Sequence, residues 1–307
     1  MGWRTIVISK PCYLSKTNNQ ANIHIKQSKS NIQVPIEDIS CIIIDSQKAT
    51  VTSALLGALS QEGAGLVVTN HDHKPVGTLL PSGSYYKPLS RLNGQIAATK
   101  AMQKRWHQEI VKQKVLNQAA TLEMHDSPIA AAHLYRLCER VRSGDPDNIE
   151  AHAARRYFEC VFGTPLQRRN ECLLNDALNY GYAVVRSVIA QHIVASGLEP
   201  SIGLFHHNML NPFNLADDLI EPYRPAIDAW THRIILGTTK SNNATLTPET
   251  KGKIIGILHE DVPNKANEHR MSISNNAQEV VRSLADGYEN HRYRPLPLPS
   301  MSDRKAP

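Results

Sequence analysis

Three separate segments carry acidic and imidazole side chains that could perform chemistry together, and the first contains Glu150. In this segment, DPDNIEAHAARRYF, Asp145 caps a predicted helix and Pro146 starts it, so Glu150 falls within the first two turns. Glu150 lies beside the apolar stripe of that helix, where packing can hold a carboxylate rigidly and direct it into a cleft. Taken alone, however, the position is better explained by an acid that complements the helix dipole.

The second segment, GLFHHN, places two adjacent histidines, His206 and His207, after an apolar pair. A neutral imidazole is a good metal ligand and can also carry a proton. The alternative is one histidine in the core and one at the surface. Because the chain contains 14 histidines, an adjacent pair is not by itself informative.

The third segment, NPFNLADDLIEPYRP, places Asp217, Asp218 and Glu221 within five positions. Asp218 and Glu221 are three residues apart, so they share one face of a helix. Acids packed between apolar residues are partly desolvated and repel one another unless a cation neutralises them. The alternative, an acidic first helical turn capped by Asn214, explains the two aspartates better than it explains Glu221.

Together, these segments predict a divalent-metal site. Two carboxylates and one imidazole drawn from these segments form a mixed oxygen and nitrogen donor set that suits Mg²⁺ or Mn²⁺ better than structural zinc. Such an ion polarises a phosphate and lowers the pKa of an attacking hydroxyl. The ligands come from distant segments, so their spacing alone cannot establish the site.

Basic residues flank these segments and indicate a polyanionic partner. The formal net charge is +6, which permits binding to nucleic acid without requiring it. Such runs are usually solvated helix faces, but beside a metal site they favour contacts with a DNA backbone. The residues concerned are Lys87, Arg91, Lys100, Lys104, Arg105, Lys112, Lys114, Arg155, Arg156, Arg168 and Arg169.

The patterning predicts an α+β protein. Short strands at regular spacing, interrupted by one helix at 52–61, indicate a small antiparallel β-domain over residues 1–80. A linker-like stretch at 81–88 leads to a larger, mainly α-helical domain at 89–291, which contains all three candidate segments. The tail at 292–307 is rich in proline and charge, which predicts disorder.

The five cysteines are widely spaced and form no CxxC pair, which argues against a disulfide framework and a cysteine zinc site. No signal peptide or apolar membrane span is evident. We therefore expect a cytoplasmic protein that does not enter the membrane.

The segments NIEAHAARRYF, GLFHHN and NLADDLIEPYRP resemble motifs of the CRISPR-associated integrase, the catalytic subunit of the spacer-acquisition complex. The stretch LLNDALNYGYAVVRSVI resembles the central helix of that family, and the order of β-domain, linker and helical domain also matches it. The resemblance covers nearly the whole chain. The form LADDLIEPYRP after a double histidine is similar to the version found beside single-effector, type II CRISPR systems.

The resemblance places the family's metal ligands on Glu150, His206 and Glu221 and an accessory acid on Asp218, whereas His207 has no counterpart. It implies a Mg²⁺- or Mn²⁺-dependent endonuclease and integrase. This enzyme would join the 3′-hydroxyl ends of a short DNA fragment to a CRISPR repeat by transesterification. It also implies a homodimer built through the β-domains, with two dimers flanking a small ferredoxin-like second subunit.

Two other functions remain open at the level of sequence. A repair nuclease or ribonuclease could use His206 and His207 as acid and base, and it would keep its activity in a chelator. A non-catalytic DNA-binding scaffold would bind DNA in a salt-sensitive way that survives the loss of Glu150.

Overall fold

The structure is a computed structural model of the 307-residue chain. It describes residues 4–26, 30–70, 75–79, 88–163, 173–237, 246–263 and 270–301. The predicted linker at 81–88 lies outside these residues except for Pro88, and Lys87, Arg168 and Arg169 also lie outside them.

The N-terminal part contains eight described strands and one helix, and its β-branched runs favour the strand conformation. The helix, α1, spans Ser53–Gln61, and the Thr52 side chain caps it by accepting a hydrogen bond from the Leu55 N–H. The strands are β1 (Arg4–Ile8), β2 (Cys12–Thr17), β3 (Gln20–Ile25), β4 (Ser30–Pro35), β5 (Ile39–Ile44), β6 (Thr50–Val51), β7 (Gly65–Thr69) and β8 (Pro75–Leu79).

These strands form two four-stranded sheets, and the prediction of a purely antiparallel domain is wrong. One sheet has the order β1-β5-β7-β8, in which β5 pairs in parallel with both β1 and β7. The other has the order β4-β3-β2-β6 and is antiparallel except for the short β2–β6 pair. The helix α1 lies in the connection between β5 and β7, and such a crossover is what a parallel pair requires.

The strand β5 is buried on both faces, which explains why its sequence is a continuous apolar run. All six of its residues are buried. Ile42 and Ile44 face a core shared with the second sheet and α1. Cys41 and Ile43 face the opposite way, into the core of the helical region. The first sheet therefore lies between the second sheet and the helices, as is typical of parallel strands.

The remainder is mainly helical, so the predicted α+β class is confirmed. A two-stranded antiparallel ribbon, β9 (Asp261–Pro263) with β10 (Arg270–Ser272), is its only described sheet. The helices are α2 (Pro88–Ile96), α3 (Lys100–Met124), α4 (Pro128–Glu139), α5 (Ile149–Phe162), α6 (Leu173–Ala195), α7 (Asn214–Leu219), α8 (Arg224–Leu236), α9 (Pro248–Ile255) and α10 (Ile273–Glu289). No helix within the described ranges has the length and apolar character needed to cross a membrane.

The 25-residue helix α3 lies between two cores and positions the candidate site. Val111 and Val115 pack into a core with α4 and α5. Trp106 and Ile110 pack into the large core that contains α6 and α10. Because opposite sides of α3 are fixed in this way, any polar side chain on its remaining face is held in a defined direction.

The prediction of a disordered tail is wrong for the described residues 292–301. Leu296 and Leu298 are buried in the helical core. The Trp106 indole N–H donates to the Arg294 carbonyl at 2.8 Å, and the Asn117 amide donates to the Pro299 carbonyl at 3.0 Å. The prolines exclude a helix, but an extended segment can still place alternate leucines on one face. Residues 302–307 lie outside the described part.

Candidate metal and phosphodiester site

The chain reversal before α5 fixes Glu150. Asp145 caps the helix through both carboxylate oxygens: the Ile149 N–H donates to Oδ1 at 2.9 Å and the Glu150 N–H donates to Oδ2 at 3.0 Å. The prediction that the helix starts at Pro146 is wrong. The helix begins three residues later, at Ile149, because Asn148 before it has a left-handed backbone with φ of 52°. Buried Ile149 anchors this first turn, and Glu150 projects beside it as the sequence predicts.

Glu221 begins a short 3₁₀ turn, Glu221–Tyr223, that follows α7. Its side chain is only 13% exposed, and one carboxylate oxygen, Oε1, lies 2.7 Å from Arg224 Nε. Burial by itself would raise the pKa of Glu221, but Arg224 and Lys114 outweigh that effect and lower it to about 2. Glu221 is therefore a carboxylate at any pH near neutrality.

Glu150 and Glu221 converge on one cation, the ammonium group of Lys114 on α3. Lys114 Nζ lies 2.5 Å from Glu150 Oε1 and 2.5 Å from Glu221 Oε2. The Lys114 side chain is 11% exposed, so this contact is shielded from solvent. Two carboxylates from segments far apart in sequence are thus brought to either side of a single positive charge.

His206 lies on a loop that the buried carboxylate of Asp218 organises. The backbone N–H groups of Leu204 and Phe205 donate to Asp218 Oδ2 at 2.6 and 3.0 Å, and that of His206 donates to Oδ1 at 3.2 Å. His206 Nδ1 lies 2.7 Å from the same Oδ1. At Gly203 a Cβ atom would lie 2.3 Å from the His206 carbonyl oxygen, so glycine is required there.

The hydrogen bond to Asp218 raises the pKa of His206 above its ordinary value and outweighs the opposing effect of burial. It also leaves Nε2 as the ring nitrogen that does not face Asp218. A carboxylate on one imidazole nitrogen commonly orients the other toward a metal or a proton.

His107, which the sequence did not single out, connects the loop to α3. Its ring stacks on Phe205 with a centroid distance of 4.1 Å and an interplanar angle of 15°. Burial lowers the pKa of His107, although the charges of Glu150 and Asp218 oppose this effect. We conclude that His107 is a neutral support behind the His206 loop.

The carboxylate oxygens and the imidazole nitrogen of the candidate ligands are donor atoms that suit a divalent cation. Glu150 and Glu221 already share one cation, and hard divalent ions prefer carboxylate oxygens. His206 lies near enough for the charge of Glu221 to raise its pKa. Within the described part of the chain, however, no three His, Cys, Asp or Glu side chains are already grouped as a metal site. The structure therefore brings two of the three predicted ligands together and holds the third on the adjacent loop.

Asp217 and His207 are the other acidic and imidazole side chains of the NPFNLADDLIEPYRP and GLFHHN segments. Asp217 pairs with Arg186 at 2.5 Å and accepts a hydrogen bond from the Asn211 amide at 2.6 Å, which ties the loop to α6. His207 is exposed.

Sequence reasoning missed Lys114 and Arg224 as parts of the site. The sequence pattern groups Lys114 with the exposed basic residues of its helix, but its side chain is buried. Its position between Val111 and Val115, which are both buried, was the available signal that it faces inward. Of the other predicted basic residues, Arg91 pairs with Glu289 at 3.2 Å. The exposed members are Lys100, Lys104, Arg105, Arg155 and Arg156.

Comparison with known proteins agrees with this fold. Residues 5–255 match the family model described as CRISPR associated protein Cas1. The chain is 37% identical over 302 residues to a CRISPR-associated endonuclease Cas1 of Neisseria meningitidis serogroup C (strain 8013), covering 98% of this chain and 97% of the relative.

Two solved structures share the fold at low sequence identity. A casposase bound to integration product has a TM-score of 0.76 and 18% identity over 95% of this chain and 92% of its own. A Cas6-RT-Cas1–Cas2 complex has a TM-score of 0.73 and 16% identity over 98% of this chain and 36% of the longer one. Because the family match and the Neisseria relative both extend over most of its length, the chain belongs to the CRISPR-associated Cas1 family.

Proposed function

We propose that this protein is a divalent-metal-dependent DNA endonuclease and integrase that inserts short DNA fragments into a CRISPR repeat array. The observation that carries the proposal is the convergence of Glu150 and Glu221 on one buried cationic position. Two negative charges held this close in a shielded site are suited to bind a hard cation. Membership of the Cas1 family, and the endonuclease name of the Neisseria relative, support the reaction class.

In this proposal Glu150, Glu221 and His206 hold Mg²⁺ or Mn²⁺. When bound, the ion supplies Lewis-acid activation of the phosphate and of the attacking hydroxyl. The chain itself positions the ligands: Arg224 fixes Glu221, Asp145 fixes the turn that bears Glu150, and Asp218 fixes the loop that bears His206. His206 contributes a neutral ring nitrogen, which requires that its proton be on the nitrogen facing Asp218.

The proposed reaction is a direct transesterification. The 3′-hydroxyl oxygen of the incoming fragment forms a bond to the phosphorus of a phosphodiester at the edge of a repeat. The attacking hydroxyl gives up its proton, the bond from that phosphorus to the 3′ oxygen of the neighbouring nucleotide breaks, and the leaving oxygen takes up a proton, so the number of phosphodiester bonds is unchanged. No side-chain nucleophile is needed for this exchange, and water in place of the hydroxyl would give endonuclease activity.

The partners belong to the same proposal. DNA is the substrate, and the exposed Lys104, Arg105, Arg155 and Arg156 are suited to its phosphates. We propose a homodimer built through the β-domains, with a small ferredoxin-like second subunit joining two dimers. The fold shared with the Cas1-containing part of a Cas6-RT-Cas1–Cas2 complex supports such an assembly. A protein of this kind would act in the cytoplasm, where the array lies.

The direct test joins a labelled DNA fragment to a plasmid that carries CRISPR repeats, with the second subunit present. We expect joined product with Mg²⁺ or Mn²⁺, no product in excess chelator, and no product when the fragment ends in a 3′-deoxynucleotide. Cleavage that persists in chelator would instead favour a nuclease in which His206 and His207 act as base and acid. DNA binding without any cleavage or joining would favour a scaffold.

A further inference from the structure

Lys114 is a charged residue at a buried position of α3. The nearby residues Val111 and Val115 on the same helix are fully packed in a core. Burial of an ammonium group is unfavourable unless it is paired, and Lys114 is paired twice, at 2.5 Å from each of the two carboxylates. The geometry therefore makes Lys114 the counter-charge of Glu150 and Glu221.

We propose that Lys114 is an internal cation that takes the place of the divalent ion and is displaced when the ion binds. The inference rests on the proposed function, since it assumes that Glu150 and Glu221 are the metal's carboxylate ligands. The Lys114 contacts use Oε1 of Glu150 and Oε2 of Glu221. Because Arg224 already holds the other oxygen of Glu221, a cation that binds this carboxylate on its open side competes with Nζ.

This competition has two consequences for the protein without metal. The two carboxylates stay neutralised, so the turn before α5 and the 3₁₀ turn at Glu221–Tyr223 keep their places against α3. The affinity for the divalent ion is also reduced, because binding must first break two shielded ion pairs. Removing the Lys114 charge should therefore weaken the metal-free fold and strengthen metal binding, whereas a merely structural lysine would weaken both.

The test compares the full chain with Lys114→Met and Lys114→Gln, and uses Lys112→Met as the matched control. Lys112 is two residues away on the same helix and is half-exposed. Mn²⁺ binding is measured by titration calorimetry without DNA, and thermal unfolding is followed with and without Mn²⁺. We expect both Lys114 variants to bind Mn²⁺ about tenfold more tightly than the unaltered protein and to gain more thermal stability from it. Lys112→Met should match the unaltered protein.

Equal or weaker Mn²⁺ binding by folded Lys114 variants would overturn this inference alone. Absence of Mn²⁺ binding by every form, the unaltered protein included, would overturn the proposed function and the inference with it. If neither Lys114 variant folds, a crystal structure of the unaltered protein grown with Mn²⁺ decides the question. Nζ moved away from Glu150 and Glu221 beside a bound ion supports displacement, and Nζ still between them overturns it.

Discussion

The buried carboxylate of Asp218 accepts hydrogen bonds from three consecutive backbone N–H groups and lies 2.7 Å from His206 Nδ1. Its neighbour Asp217 instead pairs with Arg186 at a partly exposed position. Two adjacent acids therefore differ in function: one builds the loop of the candidate ligand and the other attaches that loop to α6. The acids near α5 also differ in function. Glu150 and Glu221 contact a cation, whereas Asp145 caps a helix.

We predict that Asp218→Asn lowers the free energy of unfolding by about 1–3 kcal/mol and abolishes joining. The amide keeps the shape but loses the charge and one acceptor, so backbone donors of the loop are left unsatisfied. Asp217→Asn should lose about 1 kcal/mol or less and retain part of the activity, because its ion pair is partly solvated. Denaturant unfolding and the joining assay measure both. Equal effects of the two substitutions would contradict the division of roles.

The proposed ligand His206 should make metal binding depend on pH. The pKa of His206 is raised by Asp218, and a protonated imidazole cannot bind a metal. Mn²⁺ affinity should therefore fall as pH decreases through a pKa above the ordinary histidine value of about 6.5. Calorimetric titrations between pH 8 and pH 6 would show this fall.

Substitutions at the two histidines test the same prediction. His206→Ala should flatten the pH dependence and abolish metal-supported joining, whereas His207→Ala should keep both. If His207→Ala were the inactive variant, the assignment of the ligand would be off by one residue. If neither variant were inactive, the metal site would consist of carboxylates alone.

At the scale of elements, α3 is the part on which the site is assembled. It carries His107 and Lys114 on one face, seven residues and so about two turns apart. The first contacts the loop of His206, and the second contacts Glu150 and Glu221. The described tail packs against the same helix through the Trp106 indole and the Asn117 amide. The described tail and the candidate site therefore both contact α3.

We predict that Leu298→Ala lowers the free energy of unfolding by about 2–5 kcal/mol, because the side chain is fully buried and its loss leaves a cavity. Leu236→Ala, at a side chain that is 72% exposed, is the control and should change stability by about 0.5 kcal/mol or less. Denaturant unfolding of the two variants is the measurement. A negligible effect at Leu298 would mean that the tail is not docked in solution.

Local sequence predicts most of the strands and helices and the acids of the site. It does not predict how the strands pair or which cation the acids contact. The apolar run Ile39–Ile44 predicts a buried strand, but the direction of its neighbours depends on crossovers that the run does not encode. Glu150 and Glu221 are recognisable by type and spacing. Lys114 is not, because its partners come from residues 150 and 221 and meet it only after α5 and the 3₁₀ turn pack on α3. The tail escaped prediction because composition does not reveal a docking groove.

At the scale of the whole molecule, the sheet and the helices are joined by polar contacts as well as by the shared core. The Gln191 amide on α6 donates to the Ser40 carbonyl on β5 at 2.6 Å. Lys251 Nζ lies 3.5 Å from Asp45 Oδ2, and both side chains are almost completely buried. The first sheet and the helices are therefore joined by buried polar contacts in addition to apolar packing.

We predict that the affinity for duplex DNA falls steeply with salt, because exposed lysines and arginines displace counterions from phosphates. Lys104→Ala and Arg155→Ala should each reduce the slope of log affinity against log salt by about one if the residue contacts a phosphate. Fluorescence anisotropy over a series of salt concentrations gives the slope. If the affinity of the unaltered protein did not depend on salt, these residues would be ordinary solvent-exposed side chains that do not contact phosphates.

We propose that Glu150 and Glu221 act together as metal ligands for DNA joining. The most direct measurement is the rate of fragment joining to a repeat-containing plasmid by Glu150→Gln and Glu221→Gln, with Mn²⁺ at saturating concentration and Glu139→Gln, at an exposed residue of α4, as control. We predict that each glutamine variant folds, binds DNA and joins at least about 100-fold more slowly, while the control joins normally. Joining by either glutamine variant at a rate near that of the unaltered protein would contradict the claim.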